Sequence, residues 1–295
     1  MSGINQQYKD RLFKFIFGNP ENREWALSLY NAVNGSSYQD ASAIQYTTIE
    51  NAVYMNMKND VSFLLADMMN LYEQQSTFNP NMPMRFLIYA GMVYARYIEL
   101  TDSYHQYSSR QQSAPAPRCV CFYNGTENKE EKTILKLSDS FEAEADIEVK
   151  VTMLNINGGC NDKLKEACKP LQEYTWFVDT VRQQQAESNN LEEAIDRTLS
   201  CMPDDYLIRS FLLANRSEVK RMCITEYNEA RTLMETREEG RAEGRAEGTI
   251  RTLMTLVKSE LLPKEKAASV AGMTVEEFER KAAAAMAEPE EKYQN

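Results

Sequence analysis

The run Asn59-Asp60-Val61-Ser62-Phe63-Leu64-Leu65-Ala66-Asp67-Met68-Met69-Asn70-Leu71-Tyr72-Glu73-Gln74-Gln75 decides how the chain reads. The density of β-branched and aromatic residues between Ile44 and Thr77 predicts two or three strands. Ala66-Asp67 separates two apolar runs, where a two-residue hairpin turn fits. A reversal there sets Asp60 directly opposite Glu73. Directly cross-strand residues share a face, with Cβ atoms about 4.5–5.5 Å apart, and Gln75 joins that face because strand side chains alternate. Two carboxylates so close repel unless a cation lies between them, which points to Mg²⁺ or Mn²⁺, ions that prefer oxygen ligands. A cation held by so few carboxylates keeps positions open for water and a phosphate oxygen, and it lowers the pKa of an attacking water. The competing reading is a pair of solvated acids on an exposed hairpin face. Asp67 reads as turn chemistry rather than as a ligand.

Outward from this run, residues 10–18 place Leu12, Phe13, Ile16 and Phe17 at helical spacing before Gly18-Asn19-Pro20. Residues 21–33 carry Trp25, Leu29 and Val33 on one side and stop at Asn34-Gly35. Pro80 and Pro83 close the hairpin region, and residues 84–97 are apolar nearly all round, as a helix buried against a sheet would be. Residues 118–123 form a short strand stopped by Asn124-Gly125, and another strand is expected over 147–156. The expected order is helix, β-hairpin, helix, strand, strand, in an α/β core over residues 1–160.

Downstream the pattern turns helical. Residues 161–234 read as a helical extension with breaks near 188–190 and at Pro203. Residues 235–250 hold a four-residue Gly/Arg/Glu repeat centred on Gly240, Gly244 and Gly248, to be read as a helix or a linker. A glycine stripe costs a helix about 1 kcal/mol per residue against alanine, so this one would be marginal alone. It becomes sensible if residues 235–248 pair with a second helix, the Glu239/Glu243/Glu247 stripe meeting an Arg237/Arg241/Arg245 stripe, which would make a homo-oligomer. The other reading is a solvated linker. Residues 251–295 predict two short helices about Gly272-Met273-Thr274, with Thr274 as N-cap and Glu277 completing a capping box. A DNA-reading helix-turn-helix has that outline, and so does a plain α-hairpin.

A chain of 295 residues with 43% hydrophobic content supports one ordinary domain and a smaller appendage. The opening MSGINQQYKD lacks the basic-then-apolar pattern of a signal peptide, and no apolar stretch approaches the roughly 20 residues that span a bilayer. The expectation is therefore a cytoplasmic protein with no membrane segment. Six cysteines without C-x-x-C spacing and a single histidine, His105, argue against a zinc knuckle. They also leave Ser-His-Asp, Cys-His and His-metal chemistries with only one histidine to run through. A net charge of −11 argues against a simple nucleic-acid coat. However, residues 1–118 hold 9 Lys/Arg against 10 Asp/Glu, so the acidity lies downstream.

The run NDVSFLLADMMNLYEQQSTFNPNMPMRFLIYAGMVYARYI resembles the core of the PD-(D/E)XK nuclease family transposases, also called recombination-promoting nuclease (Rpn) proteins. The matching features are Asp60, then Glu73-Gln74-Gln75, Ser76-Thr77, Met82-Pro83 and the start of a helix at residues 85–89. Lys9-Asp10-Arg11-Leu12-Phe13-Lys14, Phe17 with Pro20, and Phe122-Tyr123-Asn124-Gly125 extend the likeness, as does the repeat near residue 240. The resemblance implies a restriction-endonuclease-like core, a mixed central sheet flanked by helices. It also implies Mg²⁺-dependent DNA cleavage tied to recombination, mobile elements or defence. Asp60 and Glu73 would be metal ligands, with Gln75 orienting the nucleophilic water. Where the wider superfamily carries lysine, this chain has Gln75, which brings no positive charge; Lys58 or Arg85 is the candidate replacement cation and DNA contact. Asp10 is a further acidic candidate, or an acid favoured by the helix dipole. Tyr123 and Asn124 end a strand near where DNA would pass. The alternative function is a catalytically degenerate DNA-binding or oligomerising interaction protein on the same fold.

Overall fold

The computed structural model describes residues 12–47, 60–101, 104, 107–188 and 190–287. These divide into two compact units, Met1–Tyr227 and Asn228–Asn295. The first unit opens with α1 (Leu12–Phe17) and α2 (Arg23–Asn34), the latter ended by Gly35 in the left-handed region. Then come the strands β1 (Gln45–Tyr46), β2 (Val61–Leu65) and β3 (Met68–Gln75), the long helix α3 (Met82–Leu100), and β4 (Ala116–Tyr123), β5 (Lys132–Lys136) and β6 (Lys150–Asn155). Helices α4 (Asp162–Ala167), α5 (Lys169–Ser188), α6 (Leu191–Cys201) and α7 (Arg209–Ala214) follow. Helix α8 (Arg216–Lys258) runs on past Tyr227.

The six strands form one mixed sheet in the order β1-β2-β3-β4-β6-β5. The hairpin register is the one the sequence predicts: Val61 pairs with Tyr72 and Leu65 with Met68. β4 lies parallel to both β3 and β6, and β5 returns antiparallel at the edge. Side-chain alternation divides the core in two. On one face Val61, Phe63, Leu65, Tyr72, Val120 and Phe122 pack with Leu12, Phe13, Phe17, Leu29 and Phe177. On the other, Met69, Leu71, Cys121, Tyr123, Val151 and Met153 pack with Phe86, Tyr89 and Val93 of α3.

Two expectations change. β5 was not foreseen, and the strand expected over 147–156 is confined to Lys150–Asn155, with Ile147 exposed. Packing does not stop at residue 160 either, because Leu171, Tyr174, Ile195, Leu199, Leu212 and Val219 belong to the same core as α1, α2 and the sheet. The segment 161–234 is thus largely part of the sheet domain. Of the two readings of the Gly/Arg/Glu repeat, helix or linker, the helix is the one found: it lies inside α8, and the described side chains of Glu238, Arg241 and Arg245 are exposed.

The second unit joins the end of α8 to α9 (Lys264–Val270) and α10 (Val275–Ala287) around Ile250, Leu253, Ala267, Ala268, Phe278 and Ala282. The expected capping box forms: Glu277 N donates to Thr274 Oγ1 at 3.2 Å and Thr274 N donates to Glu277 Oε2 at 3.3 Å. Among the described residues, no helix is long and apolar enough to cross a membrane.

Candidate active site at the hairpin base

β3 is buried along almost its whole length, between two neighbouring strands and two helical layers. A strand so placed should be nearly all apolar. Instead its last three residues are Glu73, Gln74 and Gln75, exposed to only 1%, 3% and 5%. Asp60, just before β2, is 6% exposed. Acids on an exposed, solvated hairpin face would not be buried this deeply, so that competing reading is excluded.

The register carries Asp60 to Glu73, and their main chains and carboxylates interlock. Gln74 N donates to Asp60 Oδ2 at 2.7 Å, and Asp60 N lies 3.4 Å from Glu73 Oε2. Glu73 Oε1 accepts from Arg85 Nη2 at 2.6 Å, a part-buried charge-assisted bond. Arg85 is fixed in turn by Tyr89, whose hydroxyl oxygen lies 2.7 Å from Nη2 and 3.3 Å from Nε. Burial pushes the Tyr89 hydroxyl up to about 12, and the negative charge of Glu73 adds to that against the opposing Arg85. Tyr89 therefore stays protonated at any physiological pH.

Gln75 lies on the same face, since it is two residues along the strand from Glu73. Its amide nitrogen contacts Met82 Sδ at the start of α3, while its Oε1 is buried with no hydrogen-bond partner among the described residues. An orphaned buried carbonyl oxygen costs about 1–3 kcal/mol unless a donor or cation meets it. With Asp60 and Glu73 it gives an oxygen-only donor set, the chemistry that Mg²⁺ or Mn²⁺ takes. The residues present thus fit such an ion. Among the described residues no group of three or more His, Cys, Asp or Glu side chains gathers to hold a metal, so most of its coordination would be left to water and substrate.

The other candidates fare differently. Asp10 and Lys58 lie outside the described residues. Arg85 is engaged with Glu73 and Tyr89 and keeps only 25% of its side chain in water, so it is part of the carboxylate's support. Tyr123 does not reach the surface: it is 0% exposed, and its hydroxyl closes the following loop on Glu127 N and O at 3.0 and 3.1 Å. Sequence reasoning missed Met82 and Tyr89 as partners, although Met82, Arg85 and Tyr89 stand three and four residues apart, the spacing of one helix face. It also missed Arg182 of α5, whose Nη2 donates to the Asn124 carbonyl and lies 3.0 Å from Asn124 Oδ1.

The chain matches no family model, and no curated protein or solved structure matches it.

Proposed function

We propose that the chain is a divalent-cation-dependent endonuclease that hydrolyses phosphodiester bonds in DNA. The observation that carries this reading is the burial of Asp60, Glu73 and the orphaned Gln75 Oε1 at one end of a single hairpin. Buried oxygen atoms of like charge persist only where something positive offsets them. In this reading the mixed sheet is a restriction-endonuclease-like core, and Asp60 and Glu73 would hold a Mg²⁺ or Mn²⁺ ion, which would supply Lewis-acid activation of a water and of the scissile phosphate. Gln75 orients the attacking water through its carbonyl oxygen. Arg85 holds the Glu73 carboxylate in one rotamer and supplies the positive charge that a glutamine at position 75 does not bring. The setting is cytoplasmic, the partner is DNA, and the roles that fit are recombination, mobile-element traffic and defence against foreign DNA.

One observation favours a second reading. Arg85 already neutralises Glu73, and a guanidinium on a carboxylate is a stable end state in a degenerate site. The chain would then be a DNA-binding or oligomerising protein that kept the fold without the reaction.

Plasmid nicking in Mg²⁺, Mn²⁺ or EDTA separates the two, run beside Asp60→Asn and Glu73→Gln. The nuclease reading expects cleavage in Mg²⁺ or Mn²⁺, none in EDTA, and a drop of about 10²-fold or more in each variant. DNA retardation without metal-dependent cleavage would leave the second reading standing.

A further inference from the structure

We infer that Arg182, on α5 and more than a hundred residues downstream of the hairpin, is a positioning residue for this site; the inference rests on the nuclease reading for its consequence but not for its geometry. β3 and β4 run parallel, and their ladder ends where Asn124 N donates to Gln75 O at 3.0 Å. Beyond it the chain turns at Gly125, where a Cβ would stand 2.1 Å from the Ser76 carbonyl oxygen, so only glycine passes so close to β3. Tyr123 and Gly125, on either side of Asn124, are held by Ile156 N and Asn157 Nδ2, and Asn124 itself is held from outside the sheet.

Arg182 holds it. Its Nη2 donates to the main-chain oxygen of Asn124 and, at 3.0 Å, to Oδ1 of the same residue, while Nη1 lies 3.5 Å from Asp179 Oδ1 one turn back along α5. Asn124, 2% exposed, passes the constraint to both Gln74 and Gln75. Its Oδ1 also lies 3.5 Å from Gln74 Nε2, and its N–H is the one bonded to the Gln75 carbonyl. Gln74 in turn gives its N–H to the Asp60 carboxylate at 2.7 Å. The path from Arg182 to Asp60 therefore runs through a single buried asparagine and the main chain of β3. Its effect is to keep Gln74 N–H and Gln75 in register with Asp60 and Glu73. Outer partners of this kind typically account for about 10–100-fold in activity or metal affinity.

The test uses the full chain with Arg182→Ala, Asn124→Asp and Asn124→Leu. Asp keeps an oxygen acceptor for both Arg182 and Gln74, whereas Leu keeps only bulk. Cleavage and amide hydrogen exchange are read on every protein, with melting as a check on folding. The expected result is a kcat about 10–100-fold lower in Arg182→Ala and Asn124→Leu, with little change in the KM for DNA and near-normal kcat in Asn124→Asp. Exchange at the Gln74 and Asn124 amides should quicken about tenfold in the same two variants and not in Asn124→Asp. If Arg182→Ala instead raises KM and flattens the salt dependence at constant kcat, Arg182 is a phosphate contact and the proposal is overturned. Should the parent protein not cleave at all, the nuclease reading fails by itself and exchange alone decides. Faster exchange at both amides keeps Arg182 as the anchor of the strand ends, and unchanged exchange removes it.

Discussion

At the scale of the residue, a carboxylate buried to 1% exposure is tolerable only with a cation or several donors around it, and Glu73 has a guanidinium at 2.6 Å. Removing one member of a fully buried pair costs about 3–5 kcal/mol, and the quarter of Arg85 still in water scales this down. Arg85→Met should therefore lower stability to urea by about 2–3 kcal/mol. Glu73→Gln placed on top of it should recover most of that loss, because the buried charge has gone. A double-mutant cycle measures this directly, and additive losses would show that Glu73 does not depend on Arg85. Much of this site was legible beforehand: strand alternation and the hairpin register put Asp60, Glu73 and Gln75 together without any tertiary information. Arg85, Tyr89 and Met82 were readable as one helix face, yet nothing in helical spacing says which strand residue that face will meet. Arg182 left no local signal, since its partner is a turn residue far away in sequence.

The hairpin is the element on which the site depends. Its turn is tight because β2 ends at Leu65 and β3 begins at Met68, leaving Ala66 and Asp67 to reverse the chain. Ala66 takes φ +51°, the left-handed region that alanine adopts at a cost of about 1–2 kcal/mol and glycine adopts freely. Positive φ at the first central residue alone is the pattern in which hairpins prefer glycine. Ala66→Gly should accordingly raise stability by about 1 kcal/mol, the strain relief exceeding the extra chain entropy of glycine in the unfolded state. Equilibrium denaturation reads it, and a loss of stability would place Ala66 in an unstrained turn. The elements that sequence reasoning described worst are those with the weakest patterns. β5 alternates between exposed and half-buried residues, with lysines at both ends, and β1 is two residues long. Short, lysine-flanked strands protect a sheet edge from pairing with other chains, and the same features erase the apolar signal by which strands are found.

On the scale of the whole molecule, periodicity marks which face of each helix is buried but not which helices share a core, so α5, α6 and α7 looked like an extension although Leu171, Phe177, Ile195 and Leu212 complete the core beneath the sheet. Residues 250–282 are a different case: Ile250, Leu253, Ala267, Ala268, Phe278 and Ala282 form a cluster that, among the described residues, shares no member with the sheet cores. Separate cores are the ground for expecting separate cooperative units. Phe278, 0% exposed, is, among the described residues, the only aromatic side chain in the smaller cluster. Phe278→Ala should cost about 3–5 kcal/mol there, comparable to everything so small a core can supply. The variant should lose the helical signal of the C-terminal unit while the sheet domain, followed through the near-ultraviolet signal of Trp25 and Trp176, unfolds at its unchanged midpoint. Leu171→Ala should do the reverse. A single shared transition that moves equally with both substitutions would mean that residues 1–295 unfold as one block, and the two clusters would then have to be counted as one source of stability.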